Sequence, residues 1–463
     1  MVAMSYVGRL QPGALKSPAN LDAKSAAEFL SKNGIRFIQA QFVDTHGGLK
    51  NKSVPVECLN SLLKDGAGFA GAAVAGFGNT PFDPDYMMVG DLSTLAILPW
   101  SPGHARIMGT GYIAGQPHPS DTRNVLQKQV ARLKERGWTL NTGLEPEFLL
   151  LRRQADGSYS PFDETDTLAK PAYDYRGLTR NRVILEEAVG ALQAIGFKVY
   201  QIDHEDANGQ YEINFDFADA LTSADNMQLV KMAVSQIAHD HGAICSFMPK
   251  LSETTTGNGM HVHCSIADAK GNNLFHDASD KNALGLSQLA YHFVGGLLHH
   301  AKALTALLSP SVNSYKRLVL GSPGNPSWAP VYITYGDNNR SAMLRIPYGR
   351  VEVRTSDGAM NPYLGTAAII AAGLDGIDRK LDPGPPRNVN FYELSPKQVA
   401  DLGVEVLPLS LDKALDALEA DNLFEEALGA GLIGEFIRIK RNEWRDYHQT
   451  VAPWEVDRYL TFY

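Results

Sequence analysis

One short run of the chain limits what it can become: Gly257-Asn258-Gly259-Met260-His261-Val262-His263-Cys264-Ser265. A glycine-punctuated turn leads directly into alternating polar and apolar residues. In a strand, successive side chains point to opposite faces, so His261, His263 and Ser265 share one face and Met260, Val262 and Cys264 the other. Such a strand rests one side on a core and lines a cavity with the other. Its row of nitrogen and oxygen donors suits a metal ion or a phosphate. The plainer alternative is a half-exposed strand with two incidental histidines, and the rest of the chain weighs against it.

The same device recurs. Gly143-Leu144-Glu145-Pro146-Glu147-Phe148-Leu149-Leu150 sets Glu145 and Glu147 on one strand face, with Phe148 and Leu150 opposite. Two neighbouring carboxylates on an apolar strand repel each other unless a cation sits between them. Leu149 and Leu151 share the glutamates' face and argue for burial over a solvated surface. Residues 199–205 and 209–217 repeat the pattern, aiming Glu205 and Glu212 from apolar strands. Residues 351–354 read valine, glutamate, valine, arginine, with Glu352 and Arg354 on one side.

Glu145, Glu147, Glu205, Glu212 and Glu352 with His261 make an almost all-oxygen donor set. That set suits magnesium or manganese better than zinc, for which thiolate or histidine clusters are expected. Six ligands can serve two ions. Arg317, Arg340, Arg345, Arg350 and Arg354 lie in the same part of the chain as Glu352. Divalent ions flanked by guanidinium groups are what phosphoryl transfer asks for. The chain carries no Walker A and no Gly-x-Gly-x-x-Gly fingerprint, which excludes the P-loop and Rossmann solutions.

Composition narrows the class. At 463 residues, 44% hydrophobic and 20% charged, the chain has the make-up of a soluble protein with two domains. Its formal charge of −9, from 42 basic and 51 acidic residues without a basic block, argues against a nucleic-acid partner. Three scattered cysteines, Cys58, Cys245 and Cys264, read as reduced thiols in a cytoplasmic protein. No stretch reaches the roughly 18–20 uncharged apolar residues of a membrane helix. The first twenty residues lack the regions of a signal peptide and are expected to form a flexible or oligomer-contacting arm, 1–20.

Along the chain, helical spacing over 21–33, alternation over 35–43 and 49–54, and a short helix over 56–64 make a small α+β unit. Residues 66–80 read as loop, and 95–99 and 105–110 as strands. The turn-rich Gly115-Gln116-Pro117-His118-Pro119-Ser120 is the expected boundary, followed by a helix to Arg136. Beyond it, strands near 143–151, 198–205, 210–217, 259–267, 331–335, 342–346 and 350–354 alternate with helices near 178–195, 223–241, 284–308 and 363–381. This is a mixed α/β domain with a large curved sheet and helices on its outside. The segment from 411 onward reads as helical, with an aromatic end expected to dock on a neighbouring subunit.

From about residue 35 the chain resembles the glutamine synthetase superfamily, in its bacterial dodecameric type. The matching stretches are Gln41-Phe42-Val43-Asp44 with Gly47, Leu144-Glu145-Pro146-Glu147-Phe148, His204-Glu205 with Gly209-Gln210 and Glu212, and Phe247-Met248-Pro249-Lys250. They continue with Gly259-Met260-His261 and His263, Asn313-Ser314-Tyr315-Lys316-Arg317, Asn339-Arg340-Ser341, residues 350–354, and Asn361-Pro362-Tyr363-Leu364. The resemblance implies an α+β architecture: an N-terminal β-grasp domain, 21–117, and a catalytic α/β barrel with a helical tail, 118–463. It implies a homo-dodecamer of two hexameric rings with active sites between subunits.

By the same resemblance, Glu147, Glu205 and Glu212 hold one Mg2+ or Mn2+ ion, and Glu145, His261 and Glu352 the second. Arg317, Arg354 and Gly257 match the glutamate site. Arg340, Arg345 and Arg350 match the phosphate-binding arginines, with Arg340 and Arg354 acting in catalysis. Phe217, His263 and Ser265 match the nucleotide contacts. Asp44 matches the carboxylate, donated by the adjacent subunit, that binds and deprotonates the amine. Read by itself, Asp44 is an ordinary turn former.

One stretch departs from the ammonium-using pattern. Where that pattern has a flap with a second acid, this chain has a longer segment, 320–330, with Trp328 at the acid's place. An indole face favours an alkylammonium over bare ammonium by about 0.5–2 kcal/mol; the alternative is that Trp328 only anchors the flap. This flap, with 66–71, 170–175 and 202–209, resembles the type III branch, which includes ligases acting on methylamine. Tyr173 matches a residue lining the amine pocket. The expected activity is ATP-dependent joining of glutamate to a small amine through γ-glutamyl phosphate, methylamine before ammonia. A non-catalytic homologue is the rival from another class. Tyr392 aligns with a tyrosine that some relatives adenylylate, but its loop differs and no such control is expected.

Overall fold

The computed structural model describes residues 10–321 and 327–463. Much of the expected arm and the middle of the expected flap lie outside them. In the N-terminal half, helix Ala23–Lys32 starts at Asp22, whose carboxylate accepts from the Ser25 amide while the Ser25 hydroxyl accepts from the Asp22 amide. Strand Phe37–Val43 pairs antiparallel with Leu49–Pro55 through a tight turn at Asp44, and parallel with His104–Ile113. Strands Tyr86–Gly90 and Ala67–Phe69 complete the sheet. Their inner faces bury Ile38, Phe42, Tyr86, Met88 and Ile107 against Leu30 and Leu62. This is the expected β-grasp half. Two short strands in it escaped sequence reading, because glycine and alanine in 66–80 mask Ala67–Phe69 and turn residues surround Tyr86–Gly90.

The second half is built on a sheet of eleven strands. Its main path runs Val199–His204, Gln210–Phe215, Trp138–Arg153, Met260–Asp268, Val351–Val353, Ala342–Ile346, Tyr332–Asp337 and Glu405–Val406. Nearly every neighbour is antiparallel; Tyr332–Asp337 and Ala342–Ile346 run parallel. The sheet curls into a nearly closed barrel whose strands, from Val199–His204 round to Ala342–Ile346, face one cavity. Helices Thr122–Lys134, Ala220–Asp240, Gln288–His299 and Pro362–Arg379 cover its outside. Pro362–Arg379 is the most deeply buried, because it is apolar all round. Asn361 caps it, its side chain accepting from the Tyr363 and Leu364 amides. It crosses Gln288–His299 at glycines: a Cβ on Gly296 would lie 2.1 Å from the Ala372 carbonyl oxygen.

The expectation of one long helix over 284–308 is corrected. Two helices, Gln288–His299 and Ala301–Leu308, meet at His300. Its Nδ1 lies 2.6 Å from Asp421 Oδ2 and its Nε2 2.9 Å from Asp375 Oδ2. The break lets one ring pin the C-terminal helices to the catalytic core. Likewise 178–195 is two helices, Tyr175–Arg180 and Arg182–Ala194. The C-terminal Trp454, Leu460, Phe462 and Tyr463 are exposed on this chain. The three cysteines are free, and no helix of the described residues is long and apolar enough to cross a membrane.

The halves are joined by a buried polar knot. Arg123 donates to both oxygens of Asp225 at 3.0 and 2.9 Å and reaches Asp91 of the N-terminal half at 2.8 Å. Tyr363 donates to Asp225 Oδ1 at 2.7 Å. Deleting one partner of such a pair leaves a buried charge alone and costs about 3–5 kcal/mol.

Burial acts to lower the pKa of His300, but Asp421 and Asp375 outweigh it and hold the value above the ordinary 6.5. A raised pKa adds stability that is complete below 6.5 and fades as pH rises through the folded value. Thermal melts should therefore show wild type ahead of His300→Gln at pH 6, with the gap narrowing as pH is raised above 6.5. A gap constant with pH would remove the ion-paired imidazolium from the account.

Candidate active site

Strand register assembles the site. Glu145 pairs with His261, and Glu147 with Glu212, on the two flanks of Trp138–Arg153. Glu212 pairs in turn with Asp203, while His263 pairs with Glu352 and Glu352 with Arg345. Directly opposed residues hold their Cβ atoms about 4.5–5.5 Å apart. Carboxylates, histidines and arginines therefore fall at one level of the barrel. Glu205 follows one step beyond the end of Val199–His204.

These side chains line a cavity of about 540 Å3. It brings together all six expected metal ligands, Glu145, Glu147, Glu205, Glu212, His261 and Glu352. Arg317, Arg340, Arg345, Arg354, Gly257, Tyr173 and Trp328 also line it. Five expected residues lie outside it. His263, Phe217, Ser265 and Arg350 gather beside it: Arg350 Nε donates to His263 Nδ1 at 3.1 Å, and Gly143 lies between Phe217 and His263. Asp44 sits in the N-terminal half, its carboxylate accepting from the Gly48 amide at 2.7 Å and facing Lys50 Nζ at 3.0 Å.

Electrostatics divide the donors into two groups. Burial and the neighbouring Glu147, Asp203 and Asp206 push the Glu205 carboxyl up to about 8. Burial, then Glu145, Glu147 and Glu205, raise Glu212 as well. On the other side burial is overcome. His261 and His263 hold Glu145 below the usual carboxylate range, and Arg354, the two histidines and Arg345 hold Glu352 at about 2. Glu352 is fully buried, with Arg354 Nη1 2.5 Å from one oxygen and Arg345 Nη1 2.6 Å from the other.

This donor chemistry fits a divalent, oxygen-seeking cation, because a positive charge relieves carboxylates that otherwise raise one another's pKa. Burial, then the charge of Arg354, lower the His261 pKa, which favours the neutral ring that a metal ligand needs. Its Nδ1 stands 3.7 Å from Glu145 and 3.6 Å from Glu352. A second trio of donor atoms, all within 4.8 Å of one another, is Glu145, His263 and Glu352. His263, expected only as a nucleotide contact, is thus a candidate ligand too.

Arg317, expected at the glutamate, is locked by backbone. Arg317 donates to the Thr355 and Arg354 carbonyl oxygens at 3.0 and 3.2 Å. Gly259 admits this packing: a Cβ there would fall 2.9 Å from Glu147 Oε1 and 3.0 Å from Arg317 Nη2. Gln210, which sequence reading passed over as a motif letter, donates to Glu147 Oε2, the Gly257 carbonyl and Asn258 Oδ1. The cavity also takes in Gln201, Asp203, Asp206 and Thr256. Alternation along 199–205 could have flagged Gln201 and Asp203, which share a face with Glu205.

Both aromatic walls are strained. Tyr173 has φ +64° and Trp328 φ +55°, left-handed values that cost a non-glycine residue about 1–3 kcal/mol. Each is tied down: the Tyr173 amide donates to the His204 carbonyl at 2.8 Å, and the Trp328 carbonyl accepts from Arg354 Nη2 at 3.4 Å. Tyr392 is buried under this wall, against Gly321.

Comparison with known proteins gives the family. Residues 34–112 match the glutamine synthetase β-grasp domain, and residues 119–459 the glutamine synthetase catalytic domain. The chain belongs to the glutamine synthetase family. Its similar relatives include the glutamate–methylamine ligase of Methyloversatilis universalis, 54% identical over 445 residues, covering 96% of this chain and 100% of the relative. The glutamine synthetase of Rhizobium meliloti is 40% identical over 432 residues, covering 92% and 97%. The solved structure of a GmaS/ADP complex in conformation 1 superposes with a TM-score of 0.88 at 41% identity, covering 94% of this chain and 99% of that one. Members of this glutamine synthetase family are ligases, and this chain is one. Both expected halves of the fold are thereby borne out.

If Glu145 and Glu352 are metal donors, Mn2+ at millimolar concentration should raise the melting temperature of wild type by mass action. Glu145→Ala and Glu352→Ala should show a much smaller rise. Equal rises in wild type and both variants would remove the two carboxylates from the ligand set.

Proposed function

We propose that the protein is an ATP-dependent ligase that joins glutamate to methylamine through γ-glutamyl phosphate, releasing ADP and phosphate. The observation that carries this reading is the full-length 54% identity to a glutamate–methylamine ligase. Trp328, which lines the same cavity as Tyr173, supports it.

In the first step the γ-carboxylate of glutamate attacks the γ-phosphorus of ATP, and the bond to the β-phosphate oxygen breaks to give ADP. Arg317 and Arg354 hold glutamate, with the Gly257 loop at its amino group. Arg340, Arg345 and Arg350 take the phosphates, and Phe217, His263 and Ser265 the nucleoside. Glu147, Glu205 and Glu212, and separately Glu145, His261 and Glu352, would hold two Mg2+ or Mn2+ ions, which when bound neutralise phosphate charge as Lewis acids. In the second step Asp44 of an adjacent subunit accepts a proton from methylammonium. The free amine then displaces phosphate from the acyl carbon. Asp44 lies outside its own chain's cavity, which supports a site shared between subunits, as in a dodecamer of two hexameric rings. The exposed aromatic tail is suited to bury against a neighbour in that assembly. We place the protein in the cytoplasm and its two domains at 21–117 and 118–463.

Ammonia is the second reading, favoured by relatives such as the Rhizobium meliloti glutamine synthetase at 40% identity. Phosphate release with ATP, glutamate and a panel of amines decides: kcat/KM highest for methylamine supports the proposal, and highest for ammonia overturns it. A non-catalytic role would appear as no turnover with any amine.

Trp328→Glu should lower kcat/KM for methylamine and raise it for ammonia, about tenfold for each 1.4 kcal/mol shifted. Trp328→Ala should lose methylamine activity without that gain. Equal losses for both amines would make Trp328 a flap anchor and nothing more.

Asp44→Asn, which keeps an oxygen for the Gly48 amide, should impair amine use while leaving glutamate-dependent ADP formation largely intact. Mixed rings of Asp44→Asn and Glu352→Ala subunits should regain part of the activity, since some interfaces pair two intact halves. No recovery in verified mixed rings would count against the shared site.

A further inference from the structure

We infer that Asp166 and His204 are a positioning pair for the amine side of the site, holding Glu205 and Tyr173 in one fixed relation; this rests on the reading of Tyr173 as a wall of the amine pocket, with Glu205 lining the same cavity. His204 ends strand Val199–His204 and is fully buried. Its Nε2 lies 2.8 Å from Asp166 Oδ2, and its Nδ1 lies 2.8 Å from the carbonyl oxygen of Glu205. The same Asp166 oxygen accepts from the Gly209 amide at 2.6 Å, and the other accepts from Asn208 Nδ2 at 3.0 Å. One buried carboxylate thus holds both ends of the turn that carries Glu205. The turn is closed internally by the Glu205 amide donating to the Gln210 carbonyl at 2.9 Å.

The other face of His204 sets Tyr173. Its carbonyl oxygen accepts from the Tyr173 amide, at a residue with φ +64°. A left-handed tyrosine persists only where its surroundings over-determine it, and this bond is part of that restraint. The imidazole has no room to turn, because a Cβ on Gly177 would lie 2.0 Å from His204 Cδ2. Displacing the ring therefore moves a carboxylate and an aromatic wall of the cavity together. Glu205 and Tyr173 line that cavity; Asp166 and His204 do not. They act through their neighbours.

The test is steady-state kinetics on the full-length enzyme with ATP, glutamate and methylamine, or ammonia if only ammonia supports turnover. Asp166→Ala should raise the amine KM about tenfold and leave the ATP KM within about twofold. Asp166→Asn, which keeps an oxygen for Gly209 or His204, should stay within about threefold on the amine KM. Gly177→Ala, which pushes the ring from the opposite side, should reproduce the amine-selective loss even if Asp166→Ala does not fold. Combined with Tyr173→Ala, either substitution should raise the amine KM by less than the product of the separate effects. Equal changes in the ATP and amine KM, an unchanged amine KM, or a fully multiplicative double variant would each overturn the inference. Wild type inactive with every amine would instead overturn the ligase reading on which it stands.

Discussion

Carboxylate repulsion inside a closed sheet is the constraint around which the rest of the structure is arranged. Two carboxylates roughly 5 Å apart repel by about 3 kcal/mol at an effective dielectric of about 20. A whole domain is stable by only about 5–15 kcal/mol. Burial first, and then the charge of neighbouring carboxylates, raise the pKa of Glu205 and Glu212, so the fold holds this group of acids against both desolvation and repulsion. Glu352 takes the other route, with a guanidinium on each oxygen. The same arginines face the cavity, so an anion arriving there would compete with Glu352 for them.

Such a site needs walls that do not yield. Strand register supplies much of them, since Glu145, Glu147, Glu212, His261, Arg345 and Glu352 are each set by a ladder pair and not by a loop. Behind the sheet, Pro362–Arg379 is buried along almost its whole length, and Tyr363 near its start reaches the Arg123–Asp225 pair, whose Arg123 also reaches Asp91 of the N-terminal half. The pair is worth more as a fixed anchor for that contact than as net stability, because desolvating both charges offsets most of their attraction. An unyielding frame is also what lets Tyr173 and Trp328 remain in backbone conformations that a flexible wall would relax.

Much of this was legible in the sequence because a strand's period of two separates its faces without ambiguity. Glu145, Glu147, Glu212, His261 and Glu352 were each identified by apolar neighbours on alternate positions, and all converge on the cavity. Glu205 followed from the same pattern at a strand end. What escaped was tertiary in origin. The break at His300 depends on Asp375 and Asp421, distant in sequence, and no local signal replaces them. Ala67–Phe69 exists only because Tyr86–Gly90 lies beside it. Gln210 and Asp166 are hubs by virtue of the groups that surround them. The amine assignment rested on resemblance, since Trp328 in a glycine- and proline-rich segment carries no periodicity to orient it.

Amine choice is limited by the physics of a single methyl group. Burying it is worth about 0.8 kcal/mol, and a half-exposed indole adds about 0.5–2 kcal/mol for the cation. Together these discriminate methylamine from ammonia by roughly ten- to hundredfold, at 1.4 kcal/mol per factor of ten. Trp328 is 40% exposed on this chain, so the lower figure applies unless something covers it. A carboxylate from an adjacent subunit would supply charge that both amines feel alike and would not add discrimination. Covering the indole would, because dehydration strengthens the cation–π contact and seals the methyl group from water. With Trp328 meeting the amine as proposed, stronger selectivity would require closure over it, and the left-handed backbone at Tyr173 and Trp328 would give that closure a fixed surface to meet.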